Sequence, residues 1–75
     1  MDQKKVGKFI RSARRKKDLT QQELAHAINV APGTVSKWEC GRGMPDLSVV
    51  LPLCETLDIS FRELVTGEFD EEQKR

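Results

Sequence analysis

Apolar positions along this chain recur with the spacing of helix faces rather than strands. From Val6 they fall at Val6, Phe9, Ile10 and Ala13, one stripe of a 3.6-residue period. Basic side chains fill the other sides, so residues 4–17 are expected to form an amphipathic helix with a positive outer surface. Lys16 and Lys17 close it, where cations suit the helix dipole. Thr20-Gln21-Gln22-Glu23 has the T-x-x-E form of a capping box, in which the threonine hydroxyl and the glutamate carboxylate each serve the other's backbone N–H. With Leu19 as a staple and Leu24, Ala25 and Ile28 at helical spacing, a second helix is predicted from Gln21 to Ile28.

A very short connection follows, because Asn29 tolerates the left-handed backbone that ends a helix. Pro32 suits the first position of a third helix, where its missing N–H costs nothing. That helix would turn Val35 and Trp38 inward and Thr34, Ser36 and Lys37 outward, and Gly41 and Gly43 would end it. Pro45 and Asp46 lead into a fourth helix, with Leu47, Val50, Leu51, Cys54 and Leu57 as its expected buried side. Pro52 within it removes one backbone hydrogen bond, which predicts a kink or an irregular first turn. Ser60 caps a short fifth helix stapled by Ile59 and stopped by Gly67, whose Phe61, Leu64 and Val65 are expected to complete the core. The charged stretch 68–75 is expected to fray. No alternating run of strand length and no internal repeat interrupts this pattern, so the fold class is all-α with five helices.

Composition narrows the function. The 75 residues are 37% apolar and 33% charged, enough for one small domain and wrong for a disordered tail. No apolar run approaches the roughly 18 residues needed to cross a bilayer. The charged start lacks the apolar core of a signal peptide, so a cytoplasmic location is expected. Cys40 and Cys54, with His26 as the single histidine, are too few for a disulfide framework or a zinc site, and no cofactor is implied. No cysteine–histidine or serine–histidine arrangement, phosphate loop or carboxylate pair suggests an enzyme. The net charge of +1 hides an asymmetry: residues 1–45 hold ten basic and four acidic residues, and residues 46–75 hold three basic and eight acidic. A basic half at +6 joined to an acidic half at −5 points to a polyanion partner on one side, or merely to a well-solvated first helix.

Two short helices with a tight connection, the second presenting polar side chains, form a helix-turn-helix, whose second helix can enter the DNA major groove. The stretch LTQQELAHAINVAPGTVSKWECGRGMPDLSVVLPLCETLDISFRELVTGE also resembles the Xre-type, lambda-repressor-and-Cro-like helix-turn-helix family over residues 6–67. LTQQELA, TVSKWE followed by G, and PDL before an apolar helix carry the likeness.

The resemblance implies a compact lambda-repressor-like domain and a DNA-binding transcriptional regulator, expected to be a repressor. It implies a phosphate contact for Gln21, with Gln22 beside it. Base or phosphate contacts are implied for the first two turns of the third helix, at Ala31, Pro32, Gly33, Thr34, Ser36 and Lys37, and a backbone contact for Arg42 just beyond. It also implies an ion pair between Arg14 and Glu39. Relatives often carry a long polar side chain where Pro32 and Gly33 stand; neither residue can make a bidentate contact to a base. Readout therefore falls on Lys37, Thr34, Ser36, water, DNA shape or a closer backbone.

Trp38 reads as a core plug, since a stacking platform for single strands would need aromatic companions; His26 is expected to lie outward and idle. Half-sites one helical turn apart require a symmetric dimer. Its expected surface is Ile59, Phe61, Leu64, Val65 and Phe69, which exceed the needs of so small a core, Phe69 being otherwise stranded in a charged tail. Expression level, a partner protein or oligomer state would supply any sensing, as 75 residues leave no room for a separate ligand domain. The competing reading is a protein-interaction module of the same fold, such as an antitoxin or adaptor, with weak or no DNA binding. Pro32-Gly33 and the low net charge favour it.

Overall fold

The computed structural model describes residues 2–70. Five helices follow one another: α1 (Gln3–Lys16), α2 (Gln21–Ala27), α3 (Pro32–Glu39), α4 (Leu47–Leu57) and α5 (Phe61–Thr66). No strand occurs among the described residues. Each start has a local cause. Asp2 caps α1 by accepting the Lys4 and Lys5 N–H groups. At α2 the capping box is complete: Thr20 Oγ1 accepts the Glu23 N–H at 3.0 Å, and Glu23 Oε1 accepts the Thr20 N–H at 2.8 Å. Asp46 caps α4. Ser60 and Glu63 form a second reciprocal box at α5. The stops are equally local, with Asn29 at φ 64° after α2 and Gly67 at φ 72° after α5.

Val6, Phe9, Ile10 and Ala13 of α1 meet Leu24, Ala25 and Ile28, Val35 and Trp38, Leu53, Cys54 and Leu57, and Leu64 in one core. Trp38 is 4% exposed, the plug expected of it. The tightest approach is one that apolar periodicity does not reveal. Gly7 faces the end of α3 so closely that a Cβ there would lie 2.1 Å from the Trp38 carbonyl oxygen and 3.2 Å from the Glu39 carbonyl group. Glycine is thus required for α1 to seat on α3, for reasons of space rather than of φ.

The expected buried side of α4 changes in part. Leu47 and Leu51 are not on the buried side of α4, being 85% and 66% exposed; Cys54 and Leu57 are buried as expected, and Leu53 joins them. Helix α4 is apolar nearly all round, so its period cannot say which stripe turns inward, and packing against α5 decides. Pro52 sits inside a helix that runs unbroken from Leu47 to Leu57. Its first turn does share one carbonyl, that of Asp46, between the Val49 and Val50 N–H groups. Ser48, whose carbonyl loses its usual partner to the proline, is exposed.

Residues 68–70, part of the stretch expected to fray, make contacts with α1 and α5. Phe69 packs on Phe9 with ring centroids 4.4 Å apart, and the Lys16 ammonium lies 4.1 Å from its ring centroid. The Lys5 ammonium donates to Glu68, and the Asp70 N–H donates to Glu63 Oε2 at 2.8 Å. Residues 71–75, the rest of the expected tail, lie outside the described residues.

Candidate nucleic-acid interface

Helices α2 and α3 are joined by four residues and packed on each other. The Val30 N–H donates to the Ala25 carbonyl at 2.9 Å and closes the turn. Burying Val35 and Trp38 fixes the rotation of α3, and this turns its other side outward. Lys37, Pro32 and Gly33 are exposed there, and Thr34 and Ser36 are half-buried. A Cβ at Gly33 would meet nothing within 4 Å, so the backbone there is open. The first turn of α3 has no side-chain cap, because its N-cap residue is Ala31. Gln22 is exposed on α2, and Arg42 is exposed just past α3, its N–H donating to the Lys37 carbonyl at 2.9 Å. His26 is exposed on the same helix as Gln22.

Gln21 departs from a simple exposed first-turn residue. It is half-buried, and its Nε2 donates to Glu39 Oε1 at 3.0 Å. Glu39 in turn is held by Arg14: Nε donates to Oε2 at 2.7 Å and Nη2 to Oε1 at 3.1 Å, a bidentate pair. The Arg14 and Glu39 side chains are only 11% and 3% exposed. Arg14 Nη1 also donates to the Leu19 carbonyl at 2.7 Å. The ion pair expected from the resemblance is therefore present, and it is buried rather than exposed. No sequence pattern announces that the same carboxylate also holds Gln21; helix packing brings the two together.

The expected self-association residues divide. Leu64 is 1% exposed and belongs to the core, which leaves it no surface to offer a partner, while Phe69 is half-buried and packs on Phe9. Phe61, which was also expected to complete the core, is instead 58% exposed because α5 turns Leu64 inward, and Ile59 and Val65 are half-buried. With Leu47 and Leu51, which periodicity had turned inward, Phe61 borders a groove of about 620 Å³ floored by Val50, Cys54 and Ile59. Burial, reinforced by the charge of Glu63, pushes the Cys54 thiol up from its ordinary value. It stays protonated near neutrality and acts as a small apolar group. Cys40 is exposed at the end of α3.

A connected turn, an outward polar face on its second helix and an amide beside it are the parts of a helix-turn-helix. The sequence profile of the Helix-turn-helix family matches residues 10–64. The chain belongs to the Xre-type helix-turn-helix family. The clp gene regulator ClgR from Corynebacterium glutamicum has the same fold, with TM-score 0.79 and 30% identity over 89% of this chain and 71% of that one. The restriction-modification controller protein C.AhdI from Aeromonas hydrophila superposes with TM-score 0.77 and 35% identity, covering 84% of this chain and 96% of that one.

Among curated proteins, multiprotein-bridging factor 1 from Candida albicans is 38% identical over 63 residues, 84% of this chain and 42% of its own length. The HTH-type transcriptional activator BcrR from Enterococcus faecalis is 35% identical over 69% of this chain and 26% of its own length. The chain therefore spans less than half of these curated relatives. No helix among the described residues is long and apolar enough to cross a membrane.

Proposed function

We propose that this chain is a DNA-binding transcriptional regulator that inserts α3 into the major groove. The observation that carries the reading is the outward face of α3, with Thr34, Ser36 and Lys37 on it and Arg42 beyond it, beside Gln21 at the start of α2. Gln21 and Gln22 contact phosphate. Lys37 contacts base or phosphate as a flexible point charge. Gly33 and the uncapped first turn of α3 let the backbone come close to the DNA, and shape and water contribute the rest of the specificity. Repression by occupying a promoter is the simplest mode. The E. faecalis relative is named an activator, and a reporter with the bound site placed over or upstream of a promoter separates the two.

Binding to duplex DNA is expected to weaken steeply as salt rises, because Lys37, Arg42 and their neighbours displace counterions from phosphate. Lys37→Ala weakens it as well. No binding at about 50 mM salt, or binding indifferent to salt, overturns the reading.

Self-association through Phe61, Ile59, Val65, Leu47 and Leu51 completes the proposal, because half-sites one turn apart call for a two-fold pair. Light scattering at micromolar concentration, with and without DNA, tests it; a strict monomer in both conditions rejects it. The same groove supports a second reading, a module that docks on another protein, in keeping with the name of the C. albicans relative. That reading gains if DNA binding fails while the fold is intact.

A further inference from the structure

Glu39 is the last residue of α3, yet its carboxylate ends on two other helices at once. Oε2 and Oε1 accept from Arg14 of α1, and Oε1 also accepts from Gln21, the first residue of α2. We propose that Glu39 is a positioning residue for DNA binding, which holds the Gln21 amide in the pose that meets phosphate. This rests on the reading of Gln21 as a phosphate contact.

Chemistry fixes the pose. A carboxylate only accepts, so the amide must turn its nitrogen toward Glu39 and not its oxygen. One N–H is then spent on Glu39, and the second remains to donate to a phosphate oxygen. The bidentate Arg14 pair neutralises the carboxylate at 3% exposure, so the anion beside Gln21 does not repel the DNA backbone. Because Arg14 Nη1 also ties down the Leu19 carbonyl just before α2, the start of α2 is referenced to α3 through one buried group. A side chain already held in place loses less entropy when it binds.

The first measurement uses the unaltered protein free in solution. Side-chain amide ¹⁵N relaxation should find the Gln21 NH₂ group rigid, near the order of the backbone, while those of the exposed Gln3 and Gln22 are mobile. Equal mobility at all three overturns the proposal, and this arm needs no folded Glu39 variant.

The second is a double-mutant cycle on a mixed-sequence duplex of about 20 base pairs, where phosphate contacts dominate. Gln21→Ala should weaken binding about tenfold. Glu39→Gln should weaken it several-fold in the parent and hardly at all in the Gln21→Ala background. Losses that simply add mean that Glu39 acts on the fold and not on Gln21, and the positioning role is overturned. If Gln21→Ala binds as tightly as the parent, the phosphate contact itself is wrong, whatever the relaxation data report.

Discussion

The two sides of this small domain are finished in opposite ways. At the node where α1, α2 and α3 meet, polar groups are buried and paired: Arg14, Glu39 and Gln21 share hydrogen bonds of 2.7–3.1 Å. At the end formed by α4 and α5, large apolar groups stand in the open, with Leu47 85%, Leu51 66% and Phe61 58% exposed. Buried polar groups are costly unless every one has a partner, so the first side must be complete within the chain. An exposed apolar cluster is tolerated, and it marks a surface that another molecule can cover. On the proposed function, the difference separates the side that meets DNA from an apolar surface open to a partner.

Breaking the node should cost most. Glu39→Ala leaves the Arg14 guanidinium buried without its carboxylate, and chemical denaturation should show a loss of about 3–5 kcal/mol. A loss below 1 kcal/mol (roughly an exposed pair's worth) would erase the contrast between the two sides. Gly7→Ala attacks the same side sterically. Its methyl would collide with the Trp38 carbonyl oxygen, forcing α1 off α3, and the expected cost is about 2–3 kcal/mol. The thermal midpoint of this variant reads that loss directly.

On the apolar side the expectation reverses. Leu51→Ser with Phe61→Ser should change stability by less than about 0.5 kcal/mol per site, since both side chains are mostly in solvent. The same pair should abolish self-association in light scattering. A large stability loss would mean that the groove is part of the fold and not a surface.

The smallest effect is that of acid. The Asp46 carboxyl lies below its ordinary value chiefly because the Ser48 hydroxyl donates to it. Glu68 is lowered first by the hydrogen bond from Lys5 and then by that residue's charge. Both are held lower in the folded chain than in the unfolded one. Their stabilisation is therefore present at neutral pH and above, and it is lost as pH falls through their folded values, below the usual carboxylate range. Both groups are exposed, so the effect is modest and screened by salt. Asp46→Asn and Glu68→Gln should each flatten the acid limb of a thermal-midpoint profile.

How much of this was legible in the sequence varies by region. The capping box of Thr20 and Glu23, the left-handed Asn29, Pro32 at the first position of α3 and Gly67 at the end of α5 are all local signals, and each stands where its neighbours in sequence put it. Helix rotation was readable wherever a polar face opposed an apolar one, as in α1 and α3. It was readable only in part in α4, where LSVVLPLCETL offers more than one apolar stripe: Cys54 and Leu57 are buried as expected, Leu47 and Leu51 are not, and Leu53 was missed. Phe69 looked stranded because its partner Phe9 is 60 residues away in the chain.

For the interface, the sequence by itself determined the helix-turn-helix, the outward set of Thr34, Ser36 and Lys37, and the pairing partners Arg14 and Glu39 through family likeness. Only the tertiary structure decided that the pair is buried, that Gln21 is bound into it, that Gly7 is needed for the approach of α1, and that Phe61 stands outside the core. The physical reason is range. Caps, turns and one-sided helices are set by interactions within about four residues. Burial and the sharing of one carboxylate among three helices depend on distances in space that no period along the chain encodes.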